Sequence, residues 1–233
     1  MKRLSAVAGA GITVVAMSLA LVGCGSDTKT EEKTSAEKTT TSETTTPKET
    51  TTSAAPTPEA AGPNKTIQDY IKENNIQETV IKRGDPGPTI DLPVPDGWKA
   101  TDSLPEAPYG AIVYEKTEAP DNPPRILAIF SKLTGNVDQR EILALAPGEL
   151  RNLPGYDGPT EGKEDKLDGY DATVIGGTYE QDGKKGMIAQ KTVVIPADDG
   201  VYVLQLNAYS TEAESNILMD GTSVIDEQTK ITP

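Results

Sequence analysis

Apolar and polar positions divide this chain into three unequal stretches. Residues 4–22 form an uncharged apolar run, and residues 25–62 contain no aromatic or branched aliphatic residue. From Pro63 to the end, short apolar clusters alternate with turn residues. In that last stretch Thr66 followed by Asp69 is a capping box, so a helix is predicted through Tyr70 and Ile71 to the Asn74-Asn75 pair. Thr79-Val80-Ile81 and Thr89-Ile90-Asp91-Leu92 read as short strands around a Gly84-Asp85-Pro86-Gly87 turn. Pro93 to Trp98 reads as a strand that stops in a turn and presents the chain's only tryptophan.

Ala111–Tyr114 and Ile126–Phe130 are dense apolar runs, expected as strands buried on both faces. A second helical region is expected from Asp138 through Leu145, with Pro147 opening a further turn at the first helical position. Three long strands follow: Tyr170–Ile175, Met187–Ile195 across an Asp182-Gly183 hairpin turn, and Val201–Tyr209. A last helix is predicted from Thr211, with Glu214 as its capping partner and an apolar stripe of Ile217, Leu218, Val224 and Ile225. Hairpins dominate this order. The fold class is therefore α+β, a largely antiparallel sheet flanked by helices.

The first two stretches have their own chemistry. Lys2 and Arg3, the apolar run and Leu21-Val22-Gly23-Cys24 have the layout of a bacterial lipoprotein signal peptide, residues 1–23, cut just before Cys24. Lipidation is expected on Cys24, the sole cysteine, with acyl chains such as palmitate. Two or more chains give stable anchoring where one gives only marginal binding, so the expectation is a tether on the outer face of the cell membrane. A retained transmembrane helix is the competing reading, but Ser5, Gly9, Gly11, Thr13 and Ser18 dilute the run. Residues 24–62 would be a disordered Thr-rich stalk, because runs such as Thr44-Thr45-Thr46-Pro47 bury too little apolar surface to offset the entropy of ordering. A flexible coil of this length reaches about 35 Å. Its Thr and Pro also suit O-glycosylation. Residues 63–233 are the right length for one globular domain.

Composition narrows the function. The chain has 22 Lys+Arg against 36 Asp+Glu, and loss of Lys2 and Arg3 with the signal takes the net charge from −14 to −16. Such a surface repels phosphate backbones, which excludes nucleic acid as a partner. There is no histidine, so Ser-His-Asp and Cys-His catalysis and His metal sites are excluded; acylated Cys24 takes thiolate chemistry away as well. No cofactor motif is present, and no enzyme is expected.

Three aromatic residues, Trp98, Tyr109 and Tyr114, are candidates to line a ligand groove, since sugars stack on aromatic faces and apolar grooves take lipid tails. Against that stands the plainer reading that Trp98 plugs the core at a sheet edge. The carboxylate pairs Asp165/Asp168 and Asp198/Asp199 sit beside glycines, where solvated turn chemistry outweighs an acid/base pair or a metal site.

Ala61-Gly62-Pro63-Asn64, Pro88 to Pro95, Ala107-Pro108-Tyr109-Gly110, Ser131 to Gly135, Ala146 to Leu150 and Val224 to Thr229 resemble the mycobacterial LpqN/LpqT lipoprotein family. The resemblance spans the whole folded stretch and the plan of lipidation site plus stalk. It implies a Mog1/PsbP-like α/β/α sandwich and a cell-envelope lipoprotein associated with export of trehalose mycolate glycolipids, among them trehalose monomycolate, through a membrane transporter. It also implies contacts with host proteins linked to virulence. No catalytic motif comes with it. The leading expectation is a non-enzymatic glycolipid-binding module. The alternative is a protein-interaction adaptor, toward a transporter or a host protein, with no small ligand. A carboxylate-based glycan hydrolase is a third reading and needs two carboxyls about 5–10 Å apart in a cleft.

Overall fold

The computed structural model describes residues 64–181 and 183–233. The signal peptide, Cys24 and the 24–62 stalk lie outside the described residues, as does Asp182 of the expected hairpin turn.

Helix α1 (Ile67–Glu73) starts as its sequence dictates: Thr66 accepts from the Asp69 amide, and the Asp69 carboxylate accepts from Thr66 N–H. Strand β1 (Gln77–Val80) follows, then β2 (Thr89–Asp91). These two do not pair with each other across the Gly84–Gly87 turn. β1 runs antiparallel to the distal half of β5 (Arg125–Thr134). β2 pairs with β10 (Lys230–Thr232), a C-terminal strand too short to show a pattern, in a two-stranded sheet of its own.

The segment Pro93–Gly97 is not a strand. Pro93 and Pro95 have no N–H to give a ladder, and Gly97 turns at φ 82°, so β3 (Trp98–Thr101) starts at the tryptophan instead. β4 (Gly110–Tyr114) lies beside it.

After β5 come α2 (Gln139–Leu145), capped by Asp138 accepting from the Arg140 amide, and α3 (Pro147–Arg151), with Pro147 at its first position. The next strand, β6 (Lys163–Leu167), has no apolar alternation and four exposed residues in a row, so its period is invisible in the sequence. A two-residue turn, Asp168 at φ 47° and Gly169 at φ 88°, leads from it into β7 (Tyr170–Gln181). β8 (Lys184–Ala197) and β9 (Gly200–Thr211) are the sheet's long centre.

The main sheet runs β3-β4-β5-β9-β8-β7-β6, with β1 on β5 beside it, every pair antiparallel. Pleating divides its residues between two cores. Ile126, Phe130, Val193, Leu204 and Leu206 face α4 (Ser215–Gln228), which contributes Leu218 and Ile225. Leu133, Val194 and Val203 face the other way, onto Ile67, Tyr70 and Ile142 of α1 and α2. The architecture is an α+β sandwich with helices on both faces of an antiparallel sheet.

The last helix starts later than its sequence predicts. Glu212–Glu214 form a 3-10 turn, and α4 opens at Ser215. Glu214 accepts from Thr211 Oγ1 at 3.4 Å, but Thr211 makes no side-chain bond to the backbone there; the buried Glu214 carboxylate also accepts from Thr117 Oγ1 and from the Glu118 amide, fastening the β4–β5 loop to the start of α4.

Candidate functional site

The three aromatic candidates are brought together only in part, and they face inward. Trp98 and Tyr114, cross-strand partners on β3 and β4, have ring centroids 5.6 Å apart. Trp98 is 7% exposed and lies against Gly221 of α4. Tyr109 sits edge-on to Phe130 at 5.3 Å, and its hydroxyl bonds both the N–H and the carbonyl of Ile90, which ties β2 to the core. None of these rings opens onto a groove, because α4 and the β2–β10 pair cover that face of the sheet. Trp98 and Tyr109 have the packed surroundings of the plainer reading, and Tyr114 is half-buried beside Trp98.

An open cleft lies elsewhere, on the α1–α3 side and toward the β6 edge, with a volume near 1090 Å³. Its apolar wall is Leu143, Ala144 and Leu145 of α2 with Pro147 of α3. The facing wall is polar, from Glu164, Asp165 and Lys166 of β6 and Asp171 and Thr173 of β7. Lys65, Arg140 and Arg151 stand at its margin, so both charge signs are interspersed. One wall of the cleft is thus apolar and the other offers hydrogen-bonding groups.

Backbone packing holds the cleft's corner. Asn64 and Asn152 form a reciprocal set: Asn64 N–H donates to Asn152 Oδ1 at 2.7 Å, and Asn152 Nδ2 donates to the Asn64 carbonyl at 2.8 Å. Gly148 lies so close under the Lys65 carbonyl that any side chain there would collide with it. At the β6 edge, the Asp165 side chain turns to the α4 face and bonds the Lys191 ammonium at 2.8 Å, and Asp226 of α4 takes the same ammonium at 2.7 Å. The hydrogen bond from Lys191 holds the Asp165 carboxyl below its ordinary pKa. That carboxylate is therefore spent on a structural bond on the α4 face of the sheet.

The other flagged carboxylates have similar employment. Asp168 accepts from the Ile231 amide at 2.7 Å and from Lys230, which pins β10 to the β6–β7 turn. Asp199 pairs with Lys132 and accepts from the Tyr202 hydroxyl. Among the described residues no three His, Cys, Asp or Glu side chains gather as a metal site, and no helix is long and apolar enough to cross a membrane.

The family described as "Probable lipoprotein LpqN" matches residues 63–232. This chain belongs to the LpqN lipoprotein family. It is 56% identical to the lipoprotein LpqN of Mycobacterium tuberculosis (strain H37Rv) over 225 residues, covering 96% of this chain and 98% of that one. A crystal structure of the M. tuberculosis LpqN, described as involved in cell envelope biogenesis, superposes with a TM-score of 0.72 at 54% identity; it covers 74% of this chain and 100% of the other. A proline-rich 28 kDa antigen homologue of Mycobacterium leprae is 24% identical over 164 residues, covering 70% of this chain and 58% of that one.

The cleft was not legible from sequence. Its polar wall is β6, whose exposed Lys-Glu-Asp-Lys run reads as a loop. Its apolar wall is only two short helices, with side chains half-buried or exposed. One signal existed: Leu143 and Ala144 leave the α2 stripe no continuous buried face, so an apolar surface had to remain open.

Proposed function

We propose that this protein is a non-enzymatic envelope module that holds a neutral trehalose mycolate glycolipid in the cleft between α2–α3 and β6–β7. It would do so at the outer face of the membrane, tethered by acylated Cys24 at the end of the Thr-rich stalk. One observation supports this above the rest: a cleft near 1090 Å³ whose two walls differ in polarity as the two ends of a glycolipid differ. Family membership and the relative's description as involved in cell envelope biogenesis agree with the setting. Hydroxyl-rich sugar would meet Thr173, Asp171 and Glu164, while the proximal part of an acyl chain would lie along Leu143 and Leu145. Chemistry on the ligand is not part of the proposal, since the chain has no histidine and Asp165 is already bonded to a cation.

Calorimetric titration of the intact chain with a short-chain acyl-trehalose tests the reading. Saturable binding is expected, with free trehalose and the bare fatty acid each much weaker. Ala144 is exposed on the apolar wall, so Ala144→Trp should fill the cleft and abolish binding without unfolding the protein. No saturable binding, or binding untouched by Ala144→Trp, would remove the proposal.

The burial of Trp98 and Tyr109, with Tyr114 half-buried beside them, favours a second reading, an adaptor that contacts a transporter or host protein through its surface. A pull-down that recovers envelope proteins equally with wild-type and Ala144→Trp protein, with no lipid extracted from either, would support it.

A further inference from the structure

The cleft is also the point at which the chain enters the domain. Asn64 and Lys65, the first two described residues, both line it. Each is fixed there by its backbone. The Asn64 N–H and carbonyl are both bonded to the Asn152 side chain, and the Lys65 carbonyl is pressed against Gly148 of α3. The segment that precedes Asn64 therefore starts from the rim of the cleft, beside the helix that carries part of its apolar wall.

That segment, residues 56–62, lies outside the described residues, and its sequence is Pro-Thr-Pro-Glu-Ala-Ala-Gly. Four of the seven are alanine or proline, and only Glu59 is charged. Alanine, proline and glycine lose no side-chain entropy on contact, so little opposes their packing on an apolar surface. The cleft complements them in two respects. Leu143, Ala144 and Leu145 remain partly or fully exposed on its apolar wall. At its margin Lys65 is taken by Glu73, whereas Arg140 and Arg151 make no ion pair with any described residue. Length fits as well. At about 3.3 Å per residue seven residues reach at most about 23 Å, and a cube of 1090 Å³ is only about 10 Å on a side. Pro63 alone separates the segment from Asn64, so the encounter is intramolecular, at the millimolar effective concentration of a short tether.

We propose that residues 56–62 of this chain occupy the cleft when it holds no amphiphile, with Pro58 and Ala60 against Leu143 and Ala144 and with Glu59 paired to Arg151. Arg151 adjoins Asn152, which holds Asn64, and Glu59 is five positions before Asn64, within reach of it. The inference rests on the reading of the cleft as the ligand site and adds its regulation: tether and ligand compete for one apolar wall. Competition weakens the apparent affinity for the ligand in proportion to the fraction of molecules whose cleft is free. Ligand binding in turn releases the segment and lengthens the tether.

Methyl NMR of the intact chain tests the docking without any ligand. Nuclear Overhauser contacts are expected from the Ala144 and Leu143 methyls to the Pro58 ring and the Ala60 methyl. Pro58→Glu with Ala60→Glu should abolish them and shift the Leu143 and Leu145 methyl resonances. The same variant should bind a short-chain acyl-trehalose at least about threefold more tightly than wild type, the gain expected when a third or fewer of the clefts are free. Absent contacts, with Leu143 and Leu145 resonances unchanged in the variant, would overturn the proposal. Contacts seen only between differently labelled molecules would make the occupant a second copy of the chain, and contacts from Ala144 to a co-purified lipid would make it that lipid; either overturns it. Equal affinity of the two proteins for acyl-trehalose would overturn the competition. If the contacts are present and neither protein binds acyl-trehalose, the docking stands and the glycolipid reading falls.

Discussion

The ring of Trp98 lies so near the backbone of Gly221 that a Cβ at position 221 would stand 2.6 Å from ring atom Cζ2. Glycine in the middle of α4 is not a propensity choice, since it costs about 1 kcal/mol relative to alanine. It is there because β3 and α4 approach each other through the indole. Gly221→Ala should therefore destabilise the domain, by about 1–3 kcal/mol as in other overpacked cores, despite its better helix propensity. Urea unfolding followed by Trp98 emission measures this directly. A rise in stability would mean that α4 can shift away from the sheet.

Lys191 has a side chain only 6% exposed and bonds both Asp165 and Asp226, each close to half exposed. The two ends of this bridge are not equivalent. Removing the cation leaves two carboxylates that water can reach; removing both carboxylates leaves a buried ammonium with no counter-charge. Lys191→Met should be close to neutral, whereas Asp165→Asn with Asp226→Asn should cost about 3–5 kcal/mol. Equal losses in chemical denaturation would contradict this asymmetry.

Acid should unfasten the β6 edge. Lys191 holds Asp165 below its ordinary pKa, and the Ile231 amide followed by Lys230 does the same for Asp168. A carboxylate depressed in the folded state adds stability that is fully present above its unfolded pKa. That stability is lost as pH falls through the folded value, here below about 4. Asp168→Asn should flatten this acid limb. Protection of the Ile231 amide, measured against its intrinsic exchange rate, should fall on acidification in the wild type and be low at every pH in the variant.

The order of elements was readable wherever burial imposes a period or a cap imposes chemistry. Thr66 with Asp69, Asp138 and Pro147 marked helix starts that the structure keeps, and β4, β5, β7, β8 and β9 announced themselves through buried Ile, Val and Leu. What escaped was set by distant partners. β6 is a strand because β7 offers it a ladder, not because Lys163–Lys166 favour one. Trp98 was visible as unusual, but whether an indole faces solvent or a helix depends on Gly221, 123 positions away in sequence. Glu214 looked like a cap from its spacing to Thr211, yet Thr117 and Glu118 claimed its carboxylate. The cleft depends on where two short helices stop relative to a sheet edge, and no local pattern encodes that.

Glu149 supplies the prediction with the opposite sign. Its burial raises the folded pKa above the ordinary value of 4.5, so the charged form is held at a cost at neutral pH. That cost is fully present above the folded pKa and is relieved as pH falls toward the unfolded one. Wild-type protein should therefore gain stability from this group as pH falls from neutral toward the ordinary carboxylate range, before the loss at Asp165 and Asp168 is complete. Glu149→Gln keeps an oxygen for Gln190 and Gln205, and its new N–H₂ can turn toward the unpartnered Gln190 Oε1. With the charge gone and the hydrogen bonds kept, the variant should be more stable than wild type at pH 7.5 by about 1 kcal/mol, and the difference should shrink toward pH 5. Melting temperatures of both proteins across this pH range decide the matter. A variant less stable than wild type at every pH would mean that Glu149 is held charged at no cost.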